Sequence, residues 1–185
     1  RANDQFYAQY QAEKLDVEAY IRFATSAWRE RTPQEQAAAS RRFIDEMIRP
    51  TVHDAARALL RRHVQAGDRV AIVTATNEFV TRPIATLFGV DQLIATELQR
   101  DAAGRVTGEV RGVPAYREGK VTRVQQWLAR QGLACDDFER ITFYSDSTND
   151  LPLLERVSHP VATNPAPALE RIAAERGWPI LRLFA

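Results

Sequence analysis

A single cysteine, Cys135, stands among the 185 residues. One thiol excludes an internal disulfide framework and a multi-cysteine zinc site, and it fits a reducing compartment. An excess of either charge is also missing, since 25 Lys and Arg face 24 Asp and Glu. Without a basic field the chain is ill suited to hold nucleic acid or an anionic membrane surface, so a small molecule is the expected partner. No apolar run approaches the ~18 residues of a membrane helix, and the opening residues show no secretory pattern. The expected location is the cytoplasm. No internal repeat or low-complexity linker is present, and the length suits one ordinary domain or a core with a small appendage.

Glycine is missing from the first third: all eight lie at Gly67 or beyond. Residues 1–49 are instead rich in Ala, Gln, Glu and Arg, good helix formers, and should be all helix. Phe6, Tyr10, Val17, Tyr20, Ile21, Ala24 and Trp28 recur at three- and four-residue steps over much of this stretch, giving an apolar face. Thr32-Pro33-Gln34-Glu35 combines a capping box with proline at the first helical position, so a fresh helix should run from there to about Arg49, closed by Pro50.

From Thr51 the pattern alternates. Helices are expected over about 52–66, from an Asn77 cap to Gly89, over about 116–131, from near Asn149, and from Asn164-Pro165. Between them lie short β-branched runs at 69–73, 94–96, 141–144, 160–162 and 179–184, with 97–100 and 105–110 forming a hairpin around Asp101-Ala102-Ala103-Gly104. Alternation of this kind implies a parallel sheet covered by helices on both faces.

Three places carry chemistry. Residues 141–151, ITFYSDSTNDL, run from a buried strand into a burst of small polar and acidic residues. Open α/β sheets place ligands at that end of a strand. Asp146 and Asp150 there suit a hard cation such as Mg²⁺, which takes one or two protein carboxylates and keeps its other positions for water and phosphate. The same residues also suit a plain helix start capped by Asn or Asp. In Val73-Thr74-Ala75-Thr76-Asn77 the Thr74 hydroxyl and the following backbone N–H groups lead into a helix N-terminus suited to phosphate, although simple capping would look the same. Lys120 follows Arg117-Glu118-Gly119 at a helix start, where a cation opposes the helix dipole unless an anion faces it. A lysine on a helix is otherwise an ordinary solvated charge.

The order IVTAT, EGK, SDSTND resembles motifs two, three and four of the haloacid dehalogenase-like hydrolase superfamily. The hairpin segment TELQRDAAGRVTGEVRG resembles the flap-side hairpin of its phosphoserine-phosphatase-like branch, subfamily IB. The likeness implies a Rossmann-like doubly wound parallel sheet over 51–185 with its hairpin at about 97–110. Residues 1–50 would be the rest of a small α-helical cap, incomplete at its N-terminus. It further implies that Thr74 binds the transferred phosphoryl group, that Lys120 neutralises it and holds the nucleophile, and that Asp146 ligates Mg²⁺. Asn149 and Asp150 would orient the metal's waters and Lys120, with Asp150 also a candidate metal ligand, and Thr76 and Asn77 would be secondary phosphate or substrate contacts.

One part of the family pattern is missing from this sequence. The first motif, Asp-x-Asp at the end of the first core strand, supplies the nucleophile that becomes aspartyl-phosphate and the general acid and base. That strand is also the centre of the family's sheet, and without it neighbouring strands would be left with unpaired backbone groups. The expectation is that the gene encodes such a strand upstream of Arg1. The expected activity is then Mg²⁺-dependent hydrolysis of a small phosphorylated metabolite, with phosphoserine and histidinol phosphate as candidates. The alternatives are a non-catalytic phosphate-binding or regulatory relative and a phosphotransferase. Tyr20, Arg22 and Arg29 are the cap side chains considered for substrate choice, each equally suited to a solvated or core-facing place. Two further expectations are that Lys120→Ala leaves the thermal midpoint unchanged or slightly raised, and that Arg123 is a surface charge suited as its control.

Overall fold

The computed structural model describes residues 2–12 and 14–184. Three helices open the chain: α1 (Ala2–Gln11), α2 (Val17–Arg29) and α3 (Pro33–Phe43), the last passing through one π-helical turn at Ile44–Ile48. Asp16 caps α2 by accepting from the Ala19 N–H. Thr32 and Glu35 form the reciprocal capping box read from the sequence, which satisfies two N–H groups that no helix turn can reach. The apolar stripe is therefore shared by two helices rather than one. They still put it on a common side, with the Phe6 and Tyr20 rings edge to face at 5.5 Å.

The remainder alternates as α4 (Asp54–Gln65), β1 (Ala71–Asn77), α5 (Glu78–Leu87), β2 (Gln92–Thr96), the hairpin β3 (Leu98–Arg100) and β4 (Val106–Val110), then α6 (Glu118–Ala129). β5 (Thr142–Ser145), α7 (Leu151–Leu154), β6 (His159–Thr163), α8 (Pro167–Glu175) and β7 (Ile180–Leu181) complete it. Every expected strand and helix of this region is present, shifted by a few residues. One start differs. Asn164 does not launch a helix; it sits at φ +43°, its amide donates to the Phe184 carbonyl at 2.6 Å, and it accepts from the Leu183 N–H. The helix begins instead at Pro167, whose fixed φ suits a first turn.

The parallel strands do not form one continuous sheet. β1 pairs with β2, and β5 pairs with β6, which pairs with β7. Among the described residues β1 and β5 each use only one edge, and the two lie on opposite sides of a shared cavity. This is an α/β fold whose parallel strands fall into two sheets among the described residues. One core cluster, Leu154, Ala162, Leu169 and Ala173, sits under β6. A second, Ile21, Leu98 and Val106, seals α2 against the hairpin. Gly108 makes that seal close: it holds φ +87°, and a β-carbon there would stand 2.9 Å from the Thr25 hydroxyl. No helix among the described residues is long and apolar enough to cross a membrane.

Candidate active site

A cavity of about 490 Å³ lies between the open edges of β1 and β5. Its floor and sides include Thr74 and Thr76 from β1, Lys120 from α6, and Ser145, Asp146 and Asp150 from the carboxyl end of β5 and the turn that follows. Three separate stretches of sequence thus meet at one point, because parallel strands deliver all their carboxyl ends to the same side of a sheet. The conjunction that no single motif could establish is present in the geometry.

Lys120 is 6% exposed, and its Nζ stands 2.5 Å from Asp150 Oδ1. The second Asp150 oxygen accepts from the Ser145 hydroxyl at 2.7 Å. Asp150 is therefore engaged on both oxygens by protein partners, which orient it toward Lys120. Asp146 differs. It is exposed, lines the cavity, and has no ion partner among the described residues. Its backbone carbonyl accepts from the Ala166 N–H at 2.9 Å, fixing the turn while leaving the carboxylate unclaimed.

The local sequence explains how Lys120 reaches this place. The chain enters α6 through Arg117 at φ +51°, a strained conformation for a residue with a β-carbon. Gly119 then passes so near Pro114 that a β-carbon on it would stand 2.0 Å from the Pro114 carbonyl oxygen. Only glycine lets the first turn of α6 approach that loop, and Lys120 is the next residue.

Thr74 accepts from the Thr76 N–H at 3.2 Å, so its own hydroxyl hydrogen remains available for a phosphate oxygen. Asn77 does not line the cavity. It is buried and caps α5, accepting from the Val80 N–H at 3.1 Å. Asn149 is also buried: its Nδ2 donates to Ser147 Oγ and to the Tyr10 carbonyl, and its Oδ1 accepts from the Tyr116 hydroxyl at 2.9 Å. It braces the turn between Asp146 and Asp150.

Two tyrosines and a serine were not visible as site residues in the sequence. Tyr10 reaches from α1 across 137 positions to donate to Ser147 Oγ at 3.3 Å, a contact that no local pattern announces. Tyr116 precedes the Gly-Lys pair, and Ser145 precedes Asp146, so adjacency to a motif was the only signal. Of the cap residues considered, Tyr20 lines the cavity. Arg22 pairs with Glu18 and Glu109, and Arg29 donates to the Thr107 carbonyl, so both fasten α2 to the hairpin instead.

Arg123 is not a surface charge. It is 7% exposed, and its Nη2 donates to the Ala95 carbonyl at 3.2 Å and to Glu97 Oε1. Burial raises the Glu97 pKa, but the Arg123 and Arg111 guanidinium groups outweigh it and hold the carboxyl below its usual range. On the far side of the cavity, Tyr144 shares a bond with His63 Nε2 at 2.8 Å, and His63 Nδ1 lies 2.6 Å from Asp68. Burial pushes the Tyr144 phenol above its usual value.

A model of the haloacid dehalogenase-like hydrolases matches residues 2–155. The chain is 42% identical over 179 residues to a histidinol-phosphatase of Neisseria meningitidis serogroup C (strain 8013), covering 97% of this chain and 81% of that protein. It is 34% identical over 165 residues to a phosphoserine phosphatase of Mycobacterium tuberculosis (strain ATCC 25618 / H37Rv), covering 89% of this chain and 52% of the other. Among solved structures, a protein of unknown function from Bordetella pertussis Tohama I superposes with a TM-score of 0.93 at 47% identity, over 100% of this chain and 82% of that one. A substrate-bound phosphoserine phosphatase gives 0.66 at 20% identity, over 96% of this chain and 78% of that one, which speaks for the fold alone.

Proposed function

Because the chain belongs to the haloacid dehalogenase-like hydrolase family and sits among its phosphatases, we propose that it supplies the phosphate- and cation-binding half of a Mg²⁺-dependent phosphomonoesterase. The observation that carries this reading is the meeting of Thr74, Lys120 and Asp146 in one cavity between two open strand edges. A strand ending in Asp-x-Asp, placed between β1 and β5, would pair both edges and bring a nucleophile and a general acid and base to that same end. Residues 1–50 serve as the cap and 51–185 as the core. The substrate is a small phosphorylated metabolite, with histidinol phosphate and phosphoserine, after which the relatives are named, as candidates.

The donor set fits the metal. Asp146 offers an unpaired hard oxygen at the cavity, beside Thr74 and Lys120, which suit a phosphate. That suits Mg²⁺, which is held by one or two carboxylates plus substrate phosphate and water. When bound, the ion neutralises charge on the phosphoryl oxygens and polarises phosphorus toward attack. The chain's own residues do the rest. Thr74 donates its hydroxyl to a phosphoryl oxygen, and Lys120 places a fixed positive charge beside the transferring group. Asp150 and Ser145 hold Lys120 in a single orientation. Phosphoryl transfer asks for little more than positioning and charge stabilisation, and preorganised groups give both without reorganisation during the reaction.

In the complete gene product, Asp146→Asn should raise the Mg²⁺ requirement sharply and depress phosphate release from a phosphomonoester. An unchanged Mg²⁺ titration together with an unchanged rate would overturn the assignment.

A further inference from the structure

The start of α6 and the turn after β5 meet at two points. Lys120 Nζ stands 2.5 Å from Asp150 Oδ1. Just ahead of the helix, the Tyr116 hydroxyl donates to Asn149 Oδ1 at 2.9 Å. Two groups one helical turn apart thus engage neighbouring residues of the other segment. They are tied to each other on the α6 side, because the Gly119 N–H donates to the Tyr116 carbonyl at 2.9 Å and the Lys120 N–H to the Arg117 carbonyl at 3.0 Å. Ala115 anchors the same loop deeper in the core. Its N–H donates at 3.0 Å to the hydroxyl of Thr96, which is fully buried and donates in turn to the Ala75 carbonyl at 2.8 Å. The loop is the fixed body, and the turn is what it holds.

The lysine contact alone would not fix the turn. An ammonium on a flexible four-carbon stem acts as a point charge, about which the Asp150 carboxylate can pivot. A phenol on a ring with two torsions gives a directional second point. Asn149, 4% exposed, passes that constraint on, since its backbone N–H and its Nδ2 donate to Ser147 Oγ at 3.2 and 3.3 Å. Asp146 adjoins Ser147, and its carboxylate has no ion partner among the described residues, so where that carboxylate stands follows from how the turn is oriented. Resting on the phosphatase reading, we propose that Tyr116 is a positioning residue for the cation: its hydroxyl, through Asn149 and Ser147, sets the orientation in which Asp146 is presented beside Lys120. Tyr116 is not among the cavity residues, so it acts on the ion only through the turn.

The test uses the complete gene product and Tyr116→Phe, which keeps the ring and its contact with Tyr10 at 6.3 Å and removes only the hydroxyl. Two quantities are read: the Mg²⁺ concentration giving half-maximal hydrolysis of 4-nitrophenyl phosphate, and the Mg²⁺-dependent rise of the thermal midpoint without substrate, which needs no turnover. Tyr116→Phe should move both to about three- to tenfold higher Mg²⁺ and lower kcat on the order of tenfold, with KM for the ester within about twofold. The metal-free midpoint should fall by only about 2–4 °C. Gln92→Ala, which removes the 3.0 Å bond from Trp127 Nε1 toward the other end of α6, should leave both Mg²⁺ readings unchanged. In an Asn149→Ala background Tyr116→Phe should add less than about twofold, since its acceptor is gone. A lowered midpoint with wild-type Mg²⁺ readings in Tyr116→Phe overturns the proposal. So does an undiminished effect in the Asn149→Ala background, or an equal shift in Gln92→Ala. Hydrolysis by the wild type leaves the phosphatase reading standing in each of these cases. A wild-type protein that neither hydrolyses the ester nor is stabilised by Mg²⁺ brings down both readings together.

Discussion

Lys120 carries two roles that separate cleanly under mutation. Under the proposed function its charge faces the phosphoryl group, and the same charge compensates a buried carboxylate at 2.5 Å. Lys120→Ala should therefore cost on the order of 10²-fold in turnover, as the loss of one preorganised stabilising group does. The thermal midpoint should fall as well, by an amount corresponding to about 3 kcal/mol, because Asp150 is left buried and unpaired. The helix dipole alone argues for a neutral or rising midpoint, but the Asp150 contact outweighs a dipole effect of about 0.3–1 kcal/mol. The double variant Lys120→Ala/Asp150→Asn should regain most of the stability while turnover stays lost. Parallel unfolding and phosphate-release measurements on the single and double variants decide this, and a double variant no more stable than the single one would rule the pairing out. Arg130, exposed near the end of the same helix, is the appropriate control, since Arg123 is buried. The meeting of Thr74, Lys120 and Asp146 in one cavity was legible because motif order survives in sequence. The burial of Arg123 was not, because its partner Glu97 lies 26 positions away and a helical register shows only that a residue shares a face, not what that face meets.

At the level of elements, α6 is set by a close approach and a buried ion pair. Gly119→Ala forces the first turn away from the Pro114 carbonyl, which should cost about 1–3 kcal/mol as overpacking does. The accompanying shift of Lys120 should cost turnover on the order of tenfold or more, since misplacement of about 1 Å can be felt at that scale. A variant with wild-type midpoint and rate would show that the loop yields freely. One turn on, Arg123 and Glu97 tie α6 to the end of β2. The Glu97 pKa is depressed in the folded state, so the unfolded chain binds more protons there. The pair's contribution is present above the unfolded value of 4.5 and is lost as pH falls through the lower folded value. The midpoint should drop as pH is lowered below about 4.5, and Glu97→Gln should flatten that limb while lowering the plateau at neutral pH. Thermal melts across pH 3–7 test it, and identical acid limbs in the two proteins would exclude Glu97 as the source. Helix starts and stops were legible wherever a cap fixes them, as at Thr32, Asn77 and Gly89. Asn164 misled because an Asn-Pro pair suits a helix start, whereas tertiary bonds to Leu183 and Phe184 claimed its side chain.

For the whole molecule, the alternation of strands and helices conveyed the class, and the order of three motifs conveyed the meeting point of the strands. The division into two sheets could be anticipated only from the resemblance, since periodicity says that a strand is buried and not which strand lies beside it. If the metal and a phosphate bind as proposed, inorganic phosphate with Mg²⁺ should raise the thermal midpoint of the complete gene product. The gain is about 2.7 kcal/mol at a hundredfold excess over the dissociation constant, and chelation should erase the part due to the metal. In Asp146→Asn the Mg²⁺-dependent part should vanish while phosphate alone still stabilises. A metal-independent shift in both proteins would disqualify Asp146 as the ligand. The split between β1 and β5 has a further consequence in concentrated solution. Among the described residues β1 and β5 each leave one edge unpaired, a template for neighbours, so a solution of this chain should grow turbid with concentration, edge joining edge between copies. A soluble synthetic strand with matching alternation should suppress that turbidity in proportion to its occupancy, making light scattering a readout of strand insertion with no chemistry involved.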